Sequence, residues 1–566
     1  MTRLRRTLVA LGMLTVGLVA FPGVASAHAQ LESSTPGRSA VLLVPPNQVV
    51  LHFGEPVEVD FGSLRVIGPS GARVDAGAAH HPDGDTHAVA TELASGLGDG
   101  TYVVAWRVIS ADSHPVHGAY VFSVGTARGS ARADALAAAI ADQAGDPVVG
   151  GAYWIVRAAA FAGLLVLVGL AVVVSWMWPA GGRTRRVGRV LWWSWGTLLV
   201  ATVLGVLVQG VYASALPLTD AYRPSLVSAV LHTRFGQVQL LRLLLLAVMV
   251  PLLLWVRGRI GPDGSARRWR AAACGVVGLL LLATAGLAGH AATGSSPVLG
   301  LGLDVVHLAA ASVWIGGLVL LGTYLVPRDP GDAWPPDPSG LARRVSAAAF
   351  TAVVVVVTTG VVQSIRQVGS LYALFHTPYG RTLVVKISLV VALIAVGASS
   401  RRLVHRRPSI NAASAVGGSG IPRRRLRRTV LAELAIALAV VGVTAALVND
   451  APARQAAGQP FTYSFTTLGV QVNTVIDPSR ADTTNEVHIY VLGSAGTPRA
   501  VPELDLSASL PSQSIGPLAI PLVVSGPGHY TADRVALPVA GNWVLTYTVR
   551  TDAIDEQVVR TVLPVR

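Results

Sequence analysis

From about residue 153 to 448 the chain is built of long apolar runs separated by short polar ones. Eight runs, at roughly 153–178, 190–212, 236–256, 272–289, 298–326, 347–367, 382–399 and 429–448, each come close to the ~20 residues that cross a bilayer. On either side the hydrophobic period changes from continuous to two. Between His28 and about Gly125, short stretches such as QVVLHFGEPVEV, GTYVVAWRVIS and GAYVFSVG alternate with turns rich in Gly, Pro and Asp. This is the pattern of a small antiparallel sandwich. The alternation returns after Ala451 in FTYSFTTLGVQVNTVI, NEVHIYVLG and NWVLTYTVRT, and predicts a second all-β domain. The expected organisation is a β-sandwich over 28–127, a linker over 128–150, an all-α eight-helix transmembrane domain over 151–449 and a β-sandwich over 450–566. Residues 1–27 read as a secretory signal, with Arg3, Arg5 and Arg6 before an apolar stretch and Ala25-Ser26-Ala27 at its end.

Composition agrees with a chain largely in lipid: 13% of residues are charged, 52% are apolar and the mean hydropathy is +0.55. A net charge of +14 would suit nucleic acid, but the arginines sit in short loops between the apolar runs. With the first sandwich outside, alternate loops carrying about twenty arginines fall inside, as the positive-inside rule requires. The expected location is the cell membrane, multi-pass, with both β domains on the extracytoplasmic side and no nucleic-acid partner. Cys274 is the single cysteine and there are four methionines, so metal chemistry falls to His, Asp, Glu or backbone groups.

Candidate metal ligands stand at three places. Cleavage after Ala27 would make His28 the mature terminus, where an α-amine and an imidazole on one residue form a chelate. In SADSHPVHGAYVFSVG, Asp112 and His114 are two apart and share one face of a strand or turn. An amine, imidazole and carboxylate set suits Cu(II); a plain surface turn is the competing reading. In the membrane domain His290 ends the fourth run, and Asp304 and His307 lie i and i+3 on the fifth. Ionisable residues within a span mark a functional site by default. Gly316 and Gly317, with Ala310 and Ala311, are placed to allow close helix contact. Lys386 lies inside the seventh run, where it either pairs with a carboxylate or, the default expectation, snorkels to the interface.

Residues 28–125, with His at the mature terminus, LHFGEPV at 51–57, GTYVVAWRVIS and SADSHPVHG, resemble the periplasmic copper-binding CopC family. The resemblance implies Cu(II) held by His28, Asp112 and His114. The family usually has Gly where this chain has Ser113 and often Ser where it has His117, so a ligand role for His117 stays open. His80, His81 and His87 form either a second weak metal site or a flexible polar loop, and His52 reads as structural. The pattern H…DxxHxxAxxxWxGG, together with YGRTLVVKISL at 379–389, resembles the CopD copper-resistance membrane family. It implies inward passage of copper, with Cu(I) a second possible state, past His290, Asp304 and His307. The last domain is similar to YtkA/FixH-like modules; its His488 and His529 are either metal ligands or water-facing strand residues.

The leading expectation is a copper-binding membrane protein that captures Cu(II) outside and passes copper into or across the bilayer. The alternative is a chaperone or buffer that supplies an extracytoplasmic copper protein without transport. A haem protein using His290 and His307 is a third reading. Neither a phosphate-binding Gly-rich loop nor a nucleophile–base arrangement stands out, so no enzymatic activity is expected.

Overall fold

Alternating burial along the first strands shows directly why this part of the chain forms sheets. The computed structural model describes residues 31–37, 40–59, 64–111, 113–125, 146–258, 267–289, 296–325, 338–369, 371–405, 423–450, 452–453, 461–477, 479–481, 484–493, 498–552 and 554–565. The first domain contains β1 (Leu31–Thr35), β2 (Val41–Leu42), β3 (Gln48–Phe53), β4 (Val57–Glu58), β5 (Leu64–Ile67), β6 (Asp75–His80), β7 (Ala88–Leu93), β8 (Gly100–Ser110) and β9 (Pro115–Val124). One sheet runs β1-β3-β7-β6 and the other β2-β9-β8-β4, with β5 also on β8. Val49, Leu51 and Phe53 of β3 are buried while His52 between them is exposed, the period of two that the sequence displays. Their partners across the core include Tyr102, Val104, Trp106 and Phe122. Trp106 faces Gly118 in the β8–β9 hairpin, where a Cβ would lie 2.3 Å from the indole ring. Only glycine leaves room for that ring.

The helical region contains α1 (Pro147–Met177), α2 (Arg185–Ser214), α3 (Pro224–His232), α4 (Arg234–Val256), α5 (Arg267–Leu287), α6 (Pro297–Leu325), α7 (Pro338–Val368), α8 (Leu371–His376), α9 (Pro378–His405) and α10 (Arg423–Leu447). Proline opens α1, α6, α7 and α9, a position whose N–H needs no helical partner. Asp146, Thr184 and Thr233 cap α1, α2 and α4 through side-chain oxygens. Among the described residues seven helices are long and apolar enough to cross a membrane. The fourth expected run is also an apolar helix, but the apolar part spans only Ala271–Leu287. All eight runs thus fall in helices, the fourth close to its expected span of 272–289.

Helix α1 is the centre of this region, with Leu164, Leu167, Leu170, Ala171 and Val174 at 2% exposure or less. Its Gly169 meets α6 at Gly316, where either Cβ would fall within 2.3 Å of the opposing backbone. The small-residue contact expected from Gly316 is therefore present, and its partner is α1. Gly317 turns toward Val345 of α7.

The last domain contains β10 (Phe461–Thr467), β11 (Val470–Asp477), β12 (Thr484–Gly493), β13 (Glu503–Leu510), β14 (Ile515–Ile520), β15 (Val523–Gly526), β16 (His529–Ala536), β17 (Gly541–Arg550) and β18 (Glu556–Val565). Its two antiparallel sheets, β10-β11-β12-β16-β15 and β14-β13-β17-β18, enclose Trp543, Leu545, Tyr547, Val472 and Ile489. The chain is thus an N-terminal β-sandwich, a central region of apolar helices and C-terminal β-sheets, the architecture of a membrane protein. Contacts divide it into two compact units, one holding the helices and the other most of the β residues. Ser113 and His114 group with the helices.

Candidate metal centre

The β8–β9 hairpin ends its pairing at Ile109 and Pro115, leaving a short turn that carries the D-S-H motif. Ser113 in this turn has φ +73°, in the left-handed region that costs an L-residue about 1 kcal/mol. This explains why glycine suits the position, and its carbonyl accepts a 3.0 Å hydrogen bond from Gln209 Nε2 of α2. The His114 ring is buried at 4% exposure, with Nε2 2.8 Å from the carbonyl oxygen of Val448, just past α10. A carbonyl only accepts, so Nε2 carries the proton and Nδ1 carries the lone pair of the neutral ring. Orientation of one imidazole nitrogen by a carbonyl is the usual support of a metal-ligating histidine. His28 and Asp112, the other two ligands expected here, lie outside the described residues.

His117 lies on β9 opposite Arg107. His81 Nδ1 contacts the Ala88 carbonyl oxygen at 2.7 Å, and His87 Nδ1 stands 3.5 Å from Asp85. His80 is exposed at the end of β6. His81 and His87 are engaged locally, and among the described residues no group of three or more His, Cys, Asp or Glu side chains gathers around a point.

The helical constellation has a definite frame. Asp304 and His307 stand on α6, about 10 and 15 Å along the axis from Pro297. His307 Nδ1 is 2.8 Å from Thr359 Oγ1 of α7. The Thr359 hydroxyl donates to Val355 O at 2.7 Å, so its oxygen accepts from His307 Nδ1–H. The lone pair of His307 is consequently on Nε2. Asp304 packs against Gly286 of α5, where a Cβ would meet its Oδ2 at 2.8 Å. Lys386 of α9 is within electrostatic reach of both Asp304 and His307. It therefore interacts with this cluster, a role that snorkelling does not describe. Four helices thus converge on Asp304 and His307. His290 lies outside the described residues.

The C-terminal pair departs from one expectation. His488 and His529 are 4% and 2% exposed, on the sheet face opposite the core residues Ile489 and Tyr530. They do not face water. His488 Nδ1 lies 3.1 Å from His529 Nε2, and His488 Nε2 lies 3.0 Å from Glu486 Oε1. Burial and the adjoining His488 push the His529 ring down to about 3.

Sequence reasoning missed Gln209, Val448 and Thr359. A glutamine or threonine inside an apolar run is a weak signal, and a backbone carbonyl carries none. It also passed over Arg157 and Arg242, although both lie inside predicted spans and the rule applied to Asp304 would have found them.

Comparison with known proteins follows the same division of the chain. The family model for the CopC domain matches residues 31–125, that for the copper resistance protein D-like N-terminal domain matches 146–301, and that for copper resistance protein D matches 339–447. The copper transport protein CutJ of Bacillus subtilis strain 168 is 30% identical over 463 residues, 79% of each chain. Copper resistance protein C of Pseudomonas syringae pv. tomato is 34% identical over 123 residues, 21% of this chain and 92% of its own. The crystal structure of CopC from Methylosinus trichosporium OB3b is 29% identical and covers 18% of this chain and 98% of its own, with a TM-score of 0.17. On the extent of the CutJ match and the three successive family domains, the chain belongs to the CopC/CopD copper-resistance family.

Proposed function

We propose that the protein captures Cu(II) on the extracytoplasmic side through His28, Asp112 and His114 and passes copper inward along the helices past His290, Asp304 and His307. The observation that carries this reading is the His114 ring, whose Nε2–H is fixed by a carbonyl at the end of the last long helix. A carbonyl that holds one ring nitrogen fixes the orientation of the imidazole, as it does for metal-ligating histidines. The amine, imidazole and carboxylate set favours Cu(II) in tetragonal geometry. Further inward, His307 offers Nε2 and Asp304 a carboxylate, and Lys386 beside them supplies a positive charge that favours release over tight retention. Cu(I) is the second state proposed for that segment. The protein acts as a carrier and catalyses no chemical conversion. The C-terminal domain is proposed to be a YtkA/FixH-like module, and both β domains to lie outside the cell membrane.

A paired preparation tests the capture site. The full chain with its processed terminus confirmed by mass spectrometry is compared with a version bearing one extra alanine before His28. Tight Cu(II) binding with a tetragonal electron-spin signal only in the first supports the assignment. Equal binding by both removes His28 from the site.

A further inference from the structure

Arg242 lies about 12 Å into α4 and is 6% exposed. Its Nε donates to Thr284 Oγ1 at 2.8 Å, and the threonine proton is used on the Leu281 carbonyl. Arg157 of α1 donates to Tyr153 Oη at 2.6 Å, to Asn449 Oδ1 at 2.6 Å and to Val448 O at 3.1 Å. Both arginines line one cavity of about 70 Å³ in the helical region. Among the described residues neither forms an ion pair with a carboxylate. Guanidinium stays protonated in proteins, so the cavity wall carries two positive charges. Burial of an uncompensated ion costs several kcal/mol even after relaxation, and like charge on the same wall adds to it.

The other polar groups of the wall add to the same bias. Tyr153 accepts from Arg157, which leaves its own O–H to donate elsewhere, and it is 2% exposed. Gln239 is 5% exposed, and its Oε1 has no hydrogen-bond partner. A half-turn of that amide presents its NH2 instead. Val448 O, the carbonyl on this wall, already accepts from His114 and Arg157. The remainder is apolar, including Phe161, Phe235 and Ala285. Donors and positive charge converge on a space with no negative group to meet them.

We propose that this cavity binds one small monovalent anion, of the size of chloride or formate. A water occupies about 30 Å³ in the liquid, so 70 Å³ has room for an anion of one to three heavy atoms. The anion would neutralise Arg157 and Arg242 and accept from Tyr153 and Gln239. A bare copper cation is repelled from the same place. The inference rests on the charge of the wall and stands apart from the copper assignment.

The test uses the full-length protein in nanodiscs of neutral lipid, with copper chelated and gluconate as the buffer anion. Binding of radiolabelled chloride and formate is titrated. Saturable binding of one anion per chain, weakened at least tenfold in Arg242→Gln, is the expected result. Gly205→Ala guards against misfolding of the charge variant, because its added Cβ meets nothing closer than 3.9 Å yet reduces the space. It should weaken formate more than chloride. No saturable binding of either anion, or wild-type affinity in both variants, would overturn the proposal.

Discussion

Replacing Thr359 by valine removes one oxygen and little else, and it isolates the support given to His307. In the native chain Thr359 Oγ1 accepts from His307 Nδ1–H at 2.8 Å while donating to Val355 O at 2.7 Å. Valine keeps the volume and leaves Nδ1–H buried without an acceptor, a cost of about 1–3 kcal/mol. The ring escapes that cost by moving its proton to Nε2, the nitrogen whose lone pair a metal would need. Copper binding then has to reverse the move, so affinity at this site should fall about 10- to 100-fold, the usual effect of losing such a partner. Thr359→Ser retains the hydroxyl and should bind like the native chain. The assay is Cu(I) titration of the full-length protein in nanodiscs against a competing chelator, alongside copper accumulation in cells that depend on this chain. Equal affinity for the valine, serine and native proteins would refute the assignment of Nε2 as the ligand atom.

Other substitutions test the frame around the sites. Ser113→Gly should raise stability by about 1 kcal/mol, because φ +73° costs glycine nothing; thermal unfolding with no upward shift would contradict this. Gly316→Ala should loosen α1 from α6, since its Cβ would fall 2.2 Å from the Gly169 carbonyl carbon; overpacking of this kind costs about 1–3 kcal/mol, and a detergent melting curve unchanged from native would count against the contact. Acid should destabilise the C-terminal domain. The folded His529 ring is held at about 3 against an ordinary value near 6.5, so the unfolded state binds more protons as pH falls through 6.5, and stability present above that pH is lost toward 3. At pH 5 the loss is about 2 kcal/mol, and His529→Gln should abolish that slope in a pH series of urea melts.

Periodicity carried most of the architecture. Apolar runs near 20 residues became helices, and alternating runs became strands, because each pattern has one way to bury its apolar face. The fourth run, expected over 272–289, lies in α5, whose apolar part is Ala271–Leu287. The D-S-H motif was legible as candidate chemistry, but its surroundings were not. His114 meets Val448 across 334 residues, and no local pattern encodes a contact of that separation. His488 shows the converse error: alternation puts it on the face opposite Val487 and Ile489, which pack in the core between the two sheets, but does not say whether its own face is covered. That face is buried as well, with His488 at 4% exposure. For Lys386 a carboxylate partner was one of two readings, but the sequence does not name it; the groups within its electrostatic reach, Asp304 and His307, lie on another helix.

The central claim is that copper taken at His114 crosses by way of Asp304 and His307. Purified full-length protein in liposomes holding a copper-sensitive fluorophore tests it directly, comparing the native chain with His114→Ala and Asp304→Asn under external copper. The account predicts internal copper rising with the native chain, a rate at least tenfold lower with Asp304→Asn, and a need for higher external copper with His114→Ala. Copper bound outside by the native chain with no rise inside would contradict transport and leave a surface chaperone.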